Sequence, residues 1–466
     1  MKNEKYKIGV IALAFAVILV MLAFAGCASA KTITVPDDYS TIQGAVNAAD
    51  PADTIYVRSG VYIEHVTVGK SLTLTGEDKE TTIIDGSGSG KVIHVTADNV
   101  DISEFTVQNG KYGIQLSSNY GTISNNIISN HIVGVSGDGY LYGYNSIIDC
   151  SITSCTEGIL LCVGHHNTYE NCSVSYCSTG FRVCWGDHNL LKDCKAWDCT
   201  GWGIVLDSCQ YTRVENCDVW SNDAGIVIYS CGAAMYNTIT DCNVYLNGIG
   251  ILTYDQEGRG HGRYNKICHN NIVNNIQYQA MDGQYYSNEW DDGYPSGGNY
   301  WNDYTGVDIH SGPNQDISGS DGIGDTPYDI SGSAGAQDRY PLYIAIQATV
   351  TIKPESLNLK SKGKWVTCYI ELPDGYSVED IDIDSVALTK INGDLPDPPL
   401  YTVGPSGIGD YDDDGIPDLM VKFDSQELIP LLEVGDAELT VAGELYDGPP
   451  FEGTDTIRVM DKGKGK

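Results

Sequence analysis

A glycine-headed repeat of about 22 residues constrains this chain more than any other feature. Gly113, Gly134, Gly158, Gly180, Gly203, Gly225 and Gly250 each open a short strand: GIQL, GVSG, GILL, GFRV, GIVL, GIVI and GILT. Successive gaps are 21, 24, 22, 23, 22 and 25 residues. Between them fall shorter strands such as CSI, CSV, CDV and CNV, aligned on Asn125, Cys150, Cys172, Cys194, Cys217, Cys242 and Asn270. A second column follows five residues later: Asn130, Cys155, Cys177, Cys199, Asn222, Asn247 and Asn275. A repeat this short cannot make a propeller blade. It lacks the helix formers of a helical solenoid and the regular leucines of a leucine-rich repeat. It predicts the coil of a parallel β-helix, in which equivalent side chains stack in columns ~4.8 Å apart. Asn in such a column can run a ladder of amide hydrogen bonds at a tight bend. Cys replaces it where the column points inward, because a free thiol behaves as a small buried hydrophobe.

The expected architecture is therefore all-β, a right-handed parallel β-helix of about eleven coils spanning ~50 Å. Upstream strands TITV, TIYV, HVTV, SLTLTG and TTIIDG extend the pattern, interrupted by residues 40–49. There Ser40 is placed to N-cap a short helix with Ile42, Ala45, Val46 and Ala49 on one face. Such a helix would cover the open end of the solenoid, where strand edges lie unpaired. The column cysteines are expected to be packed free thiols. Their Cβ vectors run parallel, which disfavours disulfides, and a straight column does not converge on a metal.

The chain carries 27 Lys+Arg against 62 Asp+Glu, a net charge of -35. That balance excludes nucleic acid as a partner, since phosphate binding needs clustered cations. It suits an exported protein, a calcium binder or both. Residues 1–30 read as a targeting segment: Lys2, Lys5 and Lys7 precede an apolar run from Ile8 to Gly26, and Ala28-Ser29-Ala30 offers a cleavage pattern. Phe24-Ala25-Gly26-Cys27 resembles a lipobox, making Cys27 the candidate for lipidation. Lipid anchor, uncleaved helix and no anchor all stay open. The expected location is extracellular or in the cell envelope, with membrane contact only through this segment.

The opening TVPDDYSTIQGAVNAADPADTIYVRSGVYIEHVTV resembles pectin-lyase-like β-helix proteins. Residues 297–308 (GGNYWNDYTGVD), 321–330 (DGIGDTPYDI) and 338–342 (DRYPL) resemble the closing segment of the NosD-like group. The resemblance spans roughly residues 32–343 and implies a β-helix body over 31–300, closed by an Asp/Gly-rich cap over 301–346. It implies copper by family name alone, for the chain has six Met and no His-rich run of the kind a soft-ligand site needs. Residues 350–461 resemble a β-sandwich-type module of secreted surface proteins. Strands KWVTCYIEL and AELTVAGEL, set between Pro/Gly/Asp turns, give the same antiparallel reading.

The clearest chemical motif is Asp410-Tyr-Asp412-Asp-Asp414-Gly415-Ile416-Pro-Asp418. Oxygen ligands at loop positions 1, 3, 5 and 9, a backbone carbonyl at Ile416 and a turn glycine match the first part of an EF-hand-like calcium loop. Val421 stands where the closing Glu would be, and Asp424 is the nearby carboxylate expected to complete the shell. Asp316, Asp321 and Asp325 form a second candidate calcium group.

Glycan cleavage has weaker support. Gly260-His261-Gly262 resembles one polygalacturonase motif, but the acidic motifs that should accompany it are missing. Asp187 and His188 are the other catalytic candidates. His165, His166, Asp187 and His188 follow equivalent strands and should meet across two coils; with Arg182, Arg213 and Glu215 they form the candidate ligand surface. Thirty-one Tyr and seven Trp supply rings suited to stacking on sugars. The reading is a noncatalytic surface protein that binds polysaccharide or another cell-surface partner and is stabilised by calcium. The alternatives are a polysaccharide lyase or hydrolase and a copper-binding accessory protein.

Overall fold

The computed structural model describes residues 30–461, apart from 138–142, 256–261, 284–287, 344–345, 374–375, 394–395, 397–398, 413 and 447–450. The targeting segment with Cys27, and His261, lie outside the described residues. Two compact units divide at Ser151, inside the repeat rather than at its end. A solenoid coil touches only its neighbours, so nothing in the repeat marks a natural boundary.

In the first unit, Thr32–Val35, Thr54–Val57, Thr73–Gly76, Asp101–Ser103, Thr122–Ser124 and Ser146–Ile148 stack as one parallel sheet. In the second, Thr168–Glu170, Leu190–Lys192, Arg213–Glu215, Thr238–Thr240 and Lys266–Cys268 do the same. Six and five strands make the eleven coil positions that the repeat predicts. Period-2 alternation turns alternate residues of these strands inward, among them Ile55, Leu74, Ile102 and Ile123 in the first unit and Tyr169, Leu191, Val214 and Ile239 in the second. All are buried, each contributing about 1.5–3 kcal/mol of apolar stabilisation.

The repeat glycines are demanded by coil spacing. A Cβ on Gly158 would sit 2.6 Å from the Gly180 carbonyl oxygen, and one on Gly203 2.8 Å from that of Gly225. The short helix Ile42–Ala48 forms as expected, but its N-cap is Thr41, whose hydroxyl accepts from Gly44 N at 3.1 Å, rather than Ser40. The cap contributes about 1 kcal/mol.

Two column assignments shift by one residue. Asn126, not Asn125, points inward: Phe105 N donates to its Oδ1 at 3.0 Å. Asn125 takes the left-handed conformation (φ 51°) and turns outward to Glu104 and Lys79. His131 replaces Asn130 in the second column, its ring bonded to Gly110 and Val107. A left-handed residue precedes every column position, and Asn is favoured in both places, so the sequence alone could not separate them.

A third ladder escaped the sequence reading. Asn167 N donates to Asn189 Oδ1 at 2.9 Å, Thr212 N to Asn237 at 3.0 Å, Asn237 N to Asn265 at 2.9 Å and Asn265 N to Asn288 at 3.2 Å. The column cysteines are free and buried. Cys162 and Cys184, stacked register partners on another face with Cα atoms 4.6 Å apart, form a disulfide. Stacked neighbours can therefore bridge at that position, contrary to the parallel-vector argument.

Beyond the coils, Thr349–Lys353, Trp365–Glu371, Asp418–Asp424 and Gly407–Gly409 form an antiparallel sheet. Ile381–Ile391, Gly435–Leu445 and Phe451–Met460 anchor a second. Val366, Cys368, Ile370, Val421 and Phe423 pack with Leu388, Leu439, Val441, Phe451 and Ile457 in one core, the arrangement of a β-sandwich.

Candidate functional site

Five parallel strands of the second unit, Glu157–Cys162, Thr179–Cys184, Trp202–Asp207, Ala224–Ser230 and Ile249–Asp255, present one outward face. Inward residues such as Ile159, Phe181, Ile204, Ile226 and Ile251 fill the coil, so Leu160, Arg182, Val205, Val227 and Leu252 point out. Val205, Ala224 and Val227 are nonetheless buried, in a small apolar cluster flanked by Trp202, Tyr229, Ile249 and Leu252. The Trp202 and Tyr229 rings lie 6.1 Å apart and Tyr229 and Tyr254 5.9 Å apart, forming a tilted row.

At one end of that row Arg182 donates to Asp207 Oδ2 at 2.7 Å and lies 3.8 Å from Glu157 Oε1. Glu157 Oε2 and Arg182 Nε are shielded from solvent, with no hydrogen-bond partner among the described residues. Burial raises the Glu157 pKa, and Arg182 only partly offsets it. Burial alone would lower that of Arg182, but the hydrogen bond and charge of Asp207 outweigh it. Sequence reasoning named Arg182 but missed both acids, which stand 25 residues from it on either side.

The turns beyond these strands bring the predicted histidines together. Asp187 N donates to His165 Nδ1 at 3.2 Å, and Asp187 Oδ2 lies 3.6 Å from the same nitrogen. His166 and His188 stack at 5.0 Å, followed by Tyr211, Tyr236 and Tyr264 at 5.0, 5.2 and 5.4 Å. Every ring of this exposed ladder sits on a left-handed residue. Arg213 and Glu215 do not join: they pair with each other at 2.5 Å on a different sheet. The expected single ligand surface is thus three separate places, because its residues lie on different sides of the coil.

The acidic loop of the C-terminal sheets assembles two overlapping groups whose ligand oxygens lie within 4.8 Å: Asp410, Asp412 and Asp418, and Glu371, Asp412 and Asp414. Gly415 has φ +93° and closes the turn. Ile416 N donates to Asp414 Oδ1 at 2.8 Å. Glu371 comes from the neighbouring strand, opposite the Asp418 end. Asp424 lies at the other end of its own strand and caps a helix through Gln426 N, so it is not the completing carboxylate. Burial and the charge of Asp414 raise the pKa of Glu371 and of Asp412. Asp316, Asp321 and Asp325 are not brought together as a metal-binding trio. Asp325 accepts from His310 N and Nδ1, and Asp321 from Gly312 N and Ile323 N. Gly-rich turns leave backbone N–H groups that these carboxylates satisfy.

The closing motifs end the ladders. Asn299 N, Trp301 Nε1 and Tyr340 N all donate to Asp338, at 2.7, 2.8 and 3.1 Å. Asn288 N and Trp290 Nε1 donate to Asp282, both at 3.1 Å. Asn275 N reaches Gln279 Oε1 at 3.2 Å. Each column thus stops on an acceptor. Trp290 and Trp301 are fully buried here. Burial pushes the Asp338 pKa up to about 7 despite its donors.

This geometry defines a right-handed parallel β-helix protein, and residues 59–184 match the family model described as "Right handed beta helix region". Residues 138–306 match the model described as "Periplasmic copper-binding protein (NosD)". No curated protein matches the chain. Among solved structures, an alginate lyase from Paenibacillus sp. str. FPU-7 aligns with 58% of this chain and 98% of its own, at 14% identity and TM-score 0.44. The A-module of a mannuronan C-5 epimerase from Azotobacter vinelandii aligns over 57% and 90%, at 12% identity and TM-score 0.39. A lacto-N-biosidase from Eubacterium ramulus aligns over 53% and 64%, at 12% identity and TM-score 0.41. The copper of the family description does not fit the donors that converge. Among the described residues the groups of three are all carboxylate, and such hard oxygen sites suit calcium, magnesium or manganese.

Proposed function

We propose that this protein is exported to the cell envelope, where its β-helix binds carbohydrate without cleaving it and calcium steadies the acidic loop of its C-terminal sheets. One observation carries the binding reading. The outward face joins an apolar ring row, Trp202, Tyr229 and Tyr254, to a partly exposed charged group in which Arg182 stands between Glu157 and Asp207. Sugar sites need both parts: rings for the apolar ring faces and polar groups that fix orientation. Cleavage has less support, since both acids flank the cation between them instead of facing each other across an open gap. The loop supports calcium through oxygens from two strands and the turn between them, with carboxyls that repel one another until a cation neutralises them.

The test is incubation of the protein with a panel of polysaccharides, with and without calcium, scored for retention and for new reducing or unsaturated ends. Retention without new ends is expected. New ends that vanish on Asp187→Asn or His188→Ala would replace this reading with that of a lyase or hydrolase.

A further inference from the structure

The charges on the outward face narrow the ligand class. Resting on the carbohydrate reading, we infer that the Glu157–Arg182–Asp207 group is a subsite for a neutral sugar, engaging adjacent hydroxyls, and that it rejects uronic acids. Among the described residues Arg182 is the sole cation in the outward columns of these five strands, against Glu157 and Asp207. Its guanidinium is already neutralised by Asp207 at 2.7 Å. A carboxylate-bearing sugar brought to Arg182 would meet Glu157 and Asp207 as well, on a chain of net charge -35. Like charges at such distances in a partly desolvated site repel strongly.

A hydroxyl meets no such barrier. It both donates and accepts, so neighbouring hydroxyls can donate to the partly exposed Glu157 carboxylate and accept from the partly exposed Arg182 guanidinium. Trp202, two coils from Glu157 in the same column, offers its indole to the sugar ring at the edge of the apolar cluster. No proton transfer or bond cleavage is involved.

The experiment measures binding of the full-length protein to a neutral set (cello-, laminari- and mannohexaose) and an acidic set (oligogalacturonate and oligomannuronate) by calorimetry. The same measurement follows on Arg182→Lys, Glu157→Ala and Trp202→Ala, each checked by thermal melting. Arg182→Lys keeps the charge and removes the planar fork of guanidinium donors; it should weaken neutral binding by about tenfold, the worth of one such hydrogen bond. Measurable neutral binding, lost in these variants while their melting stays within a few degrees of the parent, supports the subsite. Binding of the acidic set alone, or neutral binding unchanged in all three variants, overturns it and leaves the carbohydrate reading standing. Binding of neither set overturns the carbohydrate reading itself.

Discussion

One bend is built in two ways along this chain. Through coils 150–242 the first column is Cys150, Cys172, Cys194, Cys217 and Cys242; from 270 onward it is Asn270 and Asn299. The Asn270 amide donates to Cys268 O and Ile239 O, both at 3.0 Å, and its Oδ1 accepts from Cys242 N at 3.0 Å. Cys242 reproduces only the donations, more weakly, at 3.2 Å to Thr240 O and 3.8 Å to Val214 O. The thiol fills the same space but offers sulfur where the amide offers a strong acceptor. At this bend the middle coils are therefore held chiefly by packing, and the closing coils by hydrogen bonds that run out onto Asp338.

The largest effects should fall where a ladder ends. Asp338→Ala strands two buried donors and a part-buried third, and should cost about 3–5 kcal/mol in chemical denaturation. Asp338 also imposes a pH dependence. Its folded pKa, about 7, lies above the ordinary carboxyl value of 3.8, so the folded state favours the neutral acid. Stability is fully present below the unfolded value and is lost as pH rises through the window from about 4 to 7. Asp338→Asn should flatten that decline; an unchanged profile would remove Asp338 as its source.

The two bends can be set directly against each other. Asn270→Ala leaves the buried Cys242 N–H without its acceptor and should cost about 3 kcal/mol. Cys194→Ala loses one buried sulfur and should cost about 1 kcal/mol. Equal costs would break the distinction between hydrogen-bonded and packed coils.

In the acidic loop, calcium should raise the melting temperature by a few degrees, with EDTA reversing it. Because Glu371 and Asp412 have raised pKa values, the calcium effect should fade earlier on acidification than for ordinary carboxylates. Asp412→Asn, which touches both carboxylate groups, should abolish it.

The smallest effect concerns the exposed ring ladder. Tyr211, Tyr236 and Tyr264, 45–48% exposed, occupy left-handed positions that Asn or Asp fills before the first column. Tyr236→Asn loses stacking but relieves the backbone, and should change stability by less than about 1 kcal/mol. A larger loss would mean that the rings hold the coils together.

Much of this was legible from residues alone. The repeat glycines announced the coils and their period, and the Asn/Cys interchange announced buried bend columns. The aspartate spacing at 410–418 announced a loop that gathers carboxylates. What stayed hidden has a common cause. Asn125 and Asn126 are adjacent, and the bend decides which of them faces inward; a one-residue slip exchanges the two sides. Glu371 joins the acidic loop from a strand some forty residues upstream, and Glu157 and Asp207 reach Arg182 from neighbouring coils. Asn288 and Trp290, like Asn299 and Trp301, end their ladders on aspartates placed only by the turns around them.

The sequence by itself determined the coil, its period and the kind of residue each bend accepts, because these follow from local conformation repeated at a fixed interval. Only the tertiary structure decided which distant carboxylates meet a cation and which are consumed by backbone N–H groups. Those pairings depend on coil register and strand neighbours, which no local pattern encodes.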